Sequence, residues 1–179
     1  MRIVGGTHRG RRIKAPKILP IRPTTDFAKE GLFNVLHHQL SIENTKVLDL
    51  FGGSGNISYE FASRGASAVL TIDFNIQCIN FINKTARAFD FKNIKTIKGD
   101  VFKFLKRLNN EYDIVFADPP YDLERLSELP DLILSNKLLH KNGLLIVEHP
   151  KDFQFKDHIN FQFMKTYGNV NFTFFQLNR

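Results

Sequence analysis

Five short apolar runs, each separated from the next by a stretch of helical periodicity, constrain this chain more than any other feature. They are KVLDLF at 46–51, AVLTID at 68–73, IKTIK at 94–98, YDIVFA at 112–117 and LLIVE at 144–148. Runs this short and this apolar predict strands buried within a sheet. The stretches between them predict helices. Thr25 or Asp26 is placed to cap one that runs to about Gln39, with Phe27, Phe33, Leu36 and Leu40 near helical spacing. A second covers about Asn56 to Ser63 and stops at Gly65. In a third, Ile76, Ile79, Ile82, Ala86 and Phe89 share one face. Val101, Phe104, Leu105 and Leu108 form an i, i+3, i+4, i+7 stripe, and Leu126, Leu129, Ile133 and Leu134 lie in one more helical stretch. Strands that alternate with helices imply a parallel sheet with helices on both faces. The end of the chain breaks the alternation. INFQFMKTY and VNFTFFQL are extended runs interrupted by Gly168–Asn169, which predicts an antiparallel pair closing one edge. The expected fold is therefore α/β: a mostly parallel seven-stranded sheet with an antiparallel C-terminal edge pair, preceded by a short basic N-terminal extension.

Charge is distributed unevenly. The chain has 179 residues, with 25 Lys plus Arg against 18 Asp plus Glu. Residues 1–25 hold Arg2, Arg9, Arg11, Arg12, Lys14, Lys17 and Arg22 and no acid, so the whole excess of +7 lies there. Such a patch attracts and steers a phosphate backbone. Gly5, Gly6 and Gly10 interleave the bases, and Ile3, Val4 and Ile13 are placed to anchor them to a sheet. A solvated basic tail is the alternative. We expect two parts: residues 1–25 as a basic extension facing nucleic acid, and residues 26–179 as the main domain. Charge alone does not separate RNA from DNA. No apolar run reaches the length of a membrane span, and no signal peptide is expected. The lone Cys78 excludes a disulfide framework within the chain and fits a reducing cytoplasm. The six histidines lack metal-ligand spacing, so no metal is expected.

Ligands of open α/β sheets sit at the carboxyl ends of the strands, and four polar positions fall there. Asp49 precedes Leu-Phe and the loop Gly52-Gly53-Ser54-Gly55. The glycines permit a close backbone approach, but their spacing is not that of a pyrophosphate-binding loop. Asp49 would repel a pyrophosphate and suits an ammonium or a sulfonium. A plain strand-to-helix turn is the other reading. Asp73, about 20 residues after the loop, is suited to accept from both hydroxyls of a ribose; a helix cap is the alternative. Asp100 could accept from an adenine amino group or cap the helix that begins at Val101. Phe74 could cover an adenine face or join the core. The fourth position is Asp118-Pro119-Pro120-Tyr121, the sharpest signal in the chain. Two prolines stiffen the turn and fix where its oxygens point. The Asp118 carboxylate and the Pro119 carbonyl can each accept one hydrogen from an exocyclic amine. Held in this way, the amine favours the tetrahedral state in which its lone pair is free. Tyr121 can stack on the base that carries it.

These residues resemble the Rossmann-like methyltransferases that use S-adenosylmethionine. More narrowly, the chain resembles the bacterial RsmD-type 16S ribosomal RNA guanine-N2 methyltransferases. The resemblance runs nearly end to end: MRIVGGTHRGRRI, Arg22-Pro-Thr-Thr-Asp26 with EGLFNVL, VLDLFGGSGNISYEFASRGA, FADPPY, and KTYG at Lys165 to Gly168. It implies that Asp49, Gly52, Gly53 and Gly55 surround the methionine part of the cofactor. Asp73 would bind the ribose, and Phe74, Asp100 and Val101 the adenine end. Arg22 and Thr24 would close over the site, with Asp118, Pro119 and Tyr121 holding the target guanine. The family often has Glu where Asp73 stands and Ala where Gly52 stands.

The expected partner is 16S rRNA or a small-subunit assembly intermediate, bound by a monomer through Arg2, Arg9, Arg11, Arg12, Lys14 and Lys17, with no membrane involved. An adenine-N6 DNA methyltransferase would share the Asp118 turn, but this chain has no obvious separate DNA-reading domain. A ribosome-associated binding protein without activity is a third possibility. A nicotinamide dehydrogenase fails on the glycine spacing.

Overall fold

Thr25 determines where the first helix begins. Its hydroxyl accepts a bond from the Ala28 amide, and α1 runs Asp26–Gln39 from that cap. The structure, a computed structural model, describes residues 1–16, 19, 24–107 and 111–177. After α1 come β1 (Lys46–Leu50), α2 (Asn56–Ser63), β2 (Ala68–Asp73), α3 (Ile76–Ala88), β3 (Ile94–Lys98), α4 (Val101–Leu105) and β4 (Tyr112–Ala117). Then follow α5 (Leu129–Ser135), β5 (Leu139–Pro150), β6 (Phe161–Tyr167) and β7 (Val170–Phe175), with 3₁₀ turns at Gly6–His8 and Leu126–Glu128.

The strands form one sheet in the order β3-β2-β1-β4-β5-β7-β6. β1 to β5 are parallel, and β7 pairs antiparallel with both β5 and β6. The C-terminal hairpin therefore closes the edge as expected, with its second strand inside and its first at the rim. Order reverses at β1, where β2 lies on one side and β4 on the other, and ligands of such sheets bind beside that point.

Alternate strand residues feed two separate cores. Val47, Val69, Ile114, Phe116 and Ile146 pack with α1, α2 and α3. Leu48, Leu50, Ile72, Val115, Ala117 and Val147 pack with α4 and α5. The expected face of α3 needs correction at its start. Ile79, Ile82 and Ala86 are buried, whereas Ile76 is half-exposed and Cys78 takes the inward position. β5 begins five residues before the LLIVE run. Leu108 lies outside the described residues.

Residues 1–13 form a small hairpin. Arg2 and Arg12 make an antiparallel bridge, and Ile3 exchanges backbone bonds with Arg11 and Gly10. Ile3 and Ile13 are buried in the core shared by α1, α2, α3 and one face of the sheet, while Val4 is only half-buried. The hairpin is bolted to α2: Val4 N donates to Glu60 Oε2 at 2.9 Å, His8 N to Ser63 Oγ at 2.9 Å, and Ser63 Oγ to Gly5 O at 2.7 Å.

Beneath it Lys29 is fully buried. Its ammonium donates to Arg2 O and to Asn56 Oδ1, and stands 3.6 Å from Glu60 Oε2. Burial lowers the Lys29 pKa, and Glu60 opposes that effect. Removing one partner of a buried pair leaves the other uncompensated. Lys29→Ala is expected to cost about 3 kcal/mol or more in urea unfolding, with the N-terminal hairpin the first segment to lose hydrogen-exchange protection.

Candidate active site

A cavity of about 870 Å³ opens at the carboxyl ends of the central strands. Side-chain parity explains its chemistry. Asp49 follows Val47 by two residues, Asp118 follows Phe116, and Glu148 follows Ile146, so all three carboxylates lie on the face covered by α1 and α2. Asp73, two residues beyond Thr71 in β2, shares that face. All four line the cavity.

The cofactor side is built by the β1–α2 loop and the end of β2. Phe51 takes a left-handed backbone conformation, φ 64°, at the start of the loop, which is strained for a bulky residue. Two glycines are dictated by their neighbours. A Cβ at Gly52 would stand 2.1 Å from Thr71 Cγ2, so Thr71 of β2 occupies the room an alanine methyl would need. Gly55 has φ +78°, and a Cβ there would meet Tyr59 and Ile82 within 3.0 Å. Gly52 and Gly53 line the cavity; Gly55 caps α2 behind them.

Asp73 organises this loop. Its Oδ2 accepts from Gly53 N at 2.7 Å and its Oδ1 from Asn75 N at 2.7 Å. The cap of α3 is Asn75, which bonds Gln77 N, and not Asp73. Each Asp73 oxygen keeps a second acceptor site for a ligand hydroxyl. Phe74 is 74% exposed at the rim, a position that a core residue does not take.

Asp49 is 2% exposed. Ser58 Oγ donates to it and also lies 2.6 Å from Thr71 Oγ1. Burial raises its pKa from 3.8 to about 7; the Ser58 bond opposes the rise and the charge of Asp73 adds to it. The site is thus suited to a cation, which would supply the charge that water no longer provides. Cys78 also lines the wall, but burial pushes its thiol up to about 11, leaving no thiolate for nucleophilic work at neutral pH.

The Asp118–Tyr121 turn forms the middle of the cavity, tied to β1 by Asp118 N donating to Leu50 O at 3.3 Å. Beyond it lie Glu148 at the end of β5, the β6–β7 turn, and the start of α1. Thr24 Oγ1 donates to Glu148 Oε2 at 2.9 Å, and Thr24 O accepts from Asn56 Nδ2 at 3.1 Å. Thr24 thus joins Glu148 of β5 to Asn56 at the start of α2.

Two expected cofactor contacts lie elsewhere. Asp100 caps α4, its Oδ1 accepting from Lys103 N at 3.0 Å, and Val101 is buried in the α4/α5 core. Neither lines the cavity, although Gly99 N donates to Asp73 O and keeps this segment beside Asp73. Arg22 and Lys17 lie outside the described residues. Among the basic residues, Arg9, Arg11, Arg12 and Lys14 are exposed. Arg2 instead pairs with Asp26 at 3.6 Å and Glu30 at 3.0 Å. His149, at the end of β5, is fully buried and bonded to Thr173 Oγ1 at 2.7 Å, away from the lining. Among the described residues, no group of three or more His, Cys, Asp or Glu is arranged to hold a metal, and no helix is long and apolar enough to cross a membrane.

The model of the family described as Conserved hypothetical protein 95 matches residues 1–176. The chain belongs to this family. Two of the relatives named Ribosomal RNA small subunit methyltransferase D show the degree of likeness. One, from Haemophilus influenzae, is 31% identical over 98% of this chain and 93% of its own. The other, from Escherichia coli, is 32% identical over 83% of this chain and 74% of its own. A solved structure described as a putative methyltransferase, YhhF from Escherichia coli, superposes with a TM-score of 0.84 at 30% identity, covering 98% of this chain and 97% of that one. The Rossmann-like methyltransferase fold is thus the fold of this family member. Its match begins at residue 1, and so takes in the N-terminal hairpin as well as the sheet.

Sequence reasoning missed Asn56, Glu148, Phe27 and Tyr167 as cavity residues. For Glu148 a signal was present. LLIVE ends one residue past the pairing Ala117↔Val147, in step with Asp118.

Proposed function

We propose that this protein uses S-adenosylmethionine to methylate the N2 amine of a guanine in 16S rRNA. One observation carries the reading: the rigid Asp118-Pro119-Pro120-Tyr121 turn shares a single cavity with the Asp49, Gly53 and Asp73 loop, at the switch point of the sheet. The names of the relatives agree with it.

The residues present fit the cofactor. Asp49 would face its cationic methionine end, with the Gly52–Gly53 backbone close against it. Asp73 would take the ribose hydroxyls, Phe74 would cover the adenine, and Asp100 with Val101 would border the adenine end through the Gly99–Asp73 contact. When bound, S-adenosylmethionine supplies a methyl group already activated by its sulfonium. The protein's own contribution is then positioning. Asp118 and the Pro119 carbonyl each accept one hydrogen of the guanine amine and hold its lone pair toward the methyl. Asp118 is also placed to take the proton released on transfer. Tyr121 stacks on the unstacked base. The exposed Arg9, Arg11, Arg12 and Lys14 of the hairpin, with Lys17 and Arg22, would hold the RNA backbone. Residues 1–25 thus act as the RNA-facing part and 26–179 as the catalytic part of a cytoplasmic monomer working on a subunit assembly intermediate.

The test is to supply methyl-labelled S-adenosylmethionine and small ribosomal subunits from cells lacking the protein, then digest the RNA and identify the labelled nucleoside. Labelled N2-methylguanosine in 16S rRNA is the expected product. Label on adenine N6 would assign the site to the other amine, and cofactor binding without any label on RNA or DNA would leave a binding protein.

A further inference from the structure

We propose that Glu148 reads the target base, selecting guanine by accepting a hydrogen bond from its N1–H while Asp118 holds the N2 amine. The proposal rests on the guanine-N2 reading above and names the residue that makes it guanine.

The two carboxylates stand side by side. β4 and β5 pair in parallel through Ala117↔Val147, and Asp118 and Glu148 are the next residue on each strand. Neighbouring strands lie about 4.8 Å apart. Both side chains line the cavity and, by parity with Phe116 and Ile146, leave the sheet on the same face. Asp118 is partly open, whereas Glu148 is 3% exposed. On its far side Glu148 is paired with the fully buried Phe172 of β7. Thr24 Oγ1 donates to its Oε2 at 2.9 Å and fixes the direction of the carboxylate. A carboxylate accepts along about four directions, and the cavity is the side from which a ligand N–H would approach Glu148.

Guanine brings a matching pair: N1–H and N2–H₂ are adjacent donors on one edge. Two acceptor-only groups at adjacent strand ends complement that edge. Adenine carries an amine but an acceptor at N1, whose lone pair would face the Glu148 carboxylate. Two buried acceptors set against each other discriminate strongly. Glu148 therefore distinguishes the two bases that the Asp118 turn alone does not.

2-Aminopurine separates this role from a structural one, because it keeps the N2 amine and replaces N1–H by an acceptor. Small subunits are reconstituted with 16S rRNA ligated to carry guanine or 2-aminopurine at the position mapped by the labelling experiment. The wild-type protein is expected to prefer guanine by about 100-fold or more in kcat/KM. Glu148→Gln, whose amide can donate to N1, is expected to lose activity on guanine and gain it on 2-aminopurine, narrowing the preference to below about tenfold. Cofactor affinity, governed by the other end of the cavity, stays within about twofold. Wild-type protein that methylates both bases equally well overturns the proposal without recourse to the variant. So does a Glu148→Gln protein in which both substrates fall in parallel. Failure of the wild type to methylate guanine at all would instead strike the functional reading on which the proposal stands.

Discussion

Asp118→Ala is expected to lower single-turnover methyl transfer to guanine by a factor of about 10²–10⁴, the usual range for loss of a positioned acid–base group. The guanine amine is a weak nucleophile because its lone pair is shared with the ring. In the proposed reading Asp118 and the Pro119 carbonyl between them would hold both amine hydrogens, and only the first acceptor is a side chain that mutation can remove. Without it, the amine has one partner and is free to rotate back into conjugation. Cofactor affinity is expected to stay within about twofold, since the Asp49, Gly53 and Asp73 contacts are made by other strands. Asp118→Asn separates two parts of the role: its amide oxygen still accepts one hydrogen but takes no proton. A rate between those of wild type and Asp118→Ala would show that orientation and proton acceptance both contribute. A rate for Asp118→Ala within tenfold of wild type would remove the turn from the chemistry and leave Pro119 and Tyr121 as a binding surface only.

Much of this site was legible in the sequence because sheet geometry does most of the placing. Asp73 and Asp118 end short apolar runs, Asp49 lies inside one just before a glycine loop, and a parallel sheet brings such positions to one edge. The loop glycines were legible as a close-approach loop, but the reason for Gly52 was not. It depends on Thr71, a residue of a different strand whose methyl fills the space. Asp100 illustrates a limit of another kind. Capping and ligand binding call for the same residue type at the same strand-to-helix junction, and here the cap is the contact made. Ile76 failed because helical spacing predicts a face without saying where the neighbouring sheet begins, and Cys78 took the inward place.

The N-terminal charge was legible, its arrangement less so. Counting gave seven positive charges in residues 1–25 and no acids. The fold then carries Asp26 and Glu30 of α1 next to Arg2, and their charge offsets its own and withdraws it from the basic patch. Lys29 of α1 is distant in sequence from Asn56 and Glu60 of α2, and all three are polar, so no apolar periodicity marks them as a core. They are held together because the hairpin presents Arg2 O and Val4 N to them. A polar core of this kind links the N-terminal hairpin to Thr24, and through Thr24 to Glu148, by hydrogen bonds.

The second large effect is expected at Asp49, where one substitution should move stability and binding in opposite directions. In the free protein its carboxyl is buried and its pKa lies at about 7 in place of 3.8. Between those two values the folded state holds a proton that the unfolded state has released. Stability therefore falls as pH rises from about 4 to about 7 and is level above that. Asp49→Asn cannot ionise and escapes the penalty. Its gain over wild type in the absence of ligand should be small at pH 4, grow up to pH 7 and then stay constant. The raised pKa limits that gain to about 4 kcal/mol, and burying the new amide N–H groups reduces it to roughly 2 kcal/mol. A thermal melt at pH 7.5 reads it as a rise in Tm. Binding runs the other way, because a cation beside Asp49 favours the ionised form. Affinity of the wild type for S-adenosylmethionine should rise about tenfold per pH unit up to pH 7 as the proton is released, then level off. Asp49→Asn should bind about 100-fold more weakly at pH 7.5, with no pH dependence between 5 and 7. The two measurements check one another. A variant that loses affinity and also melts earlier would mean that Asp49 only supports the loop through Ser58, whereas weaker binding in a more stable protein requires a carboxylate kept in an unfavourable place for the cation that will meet it.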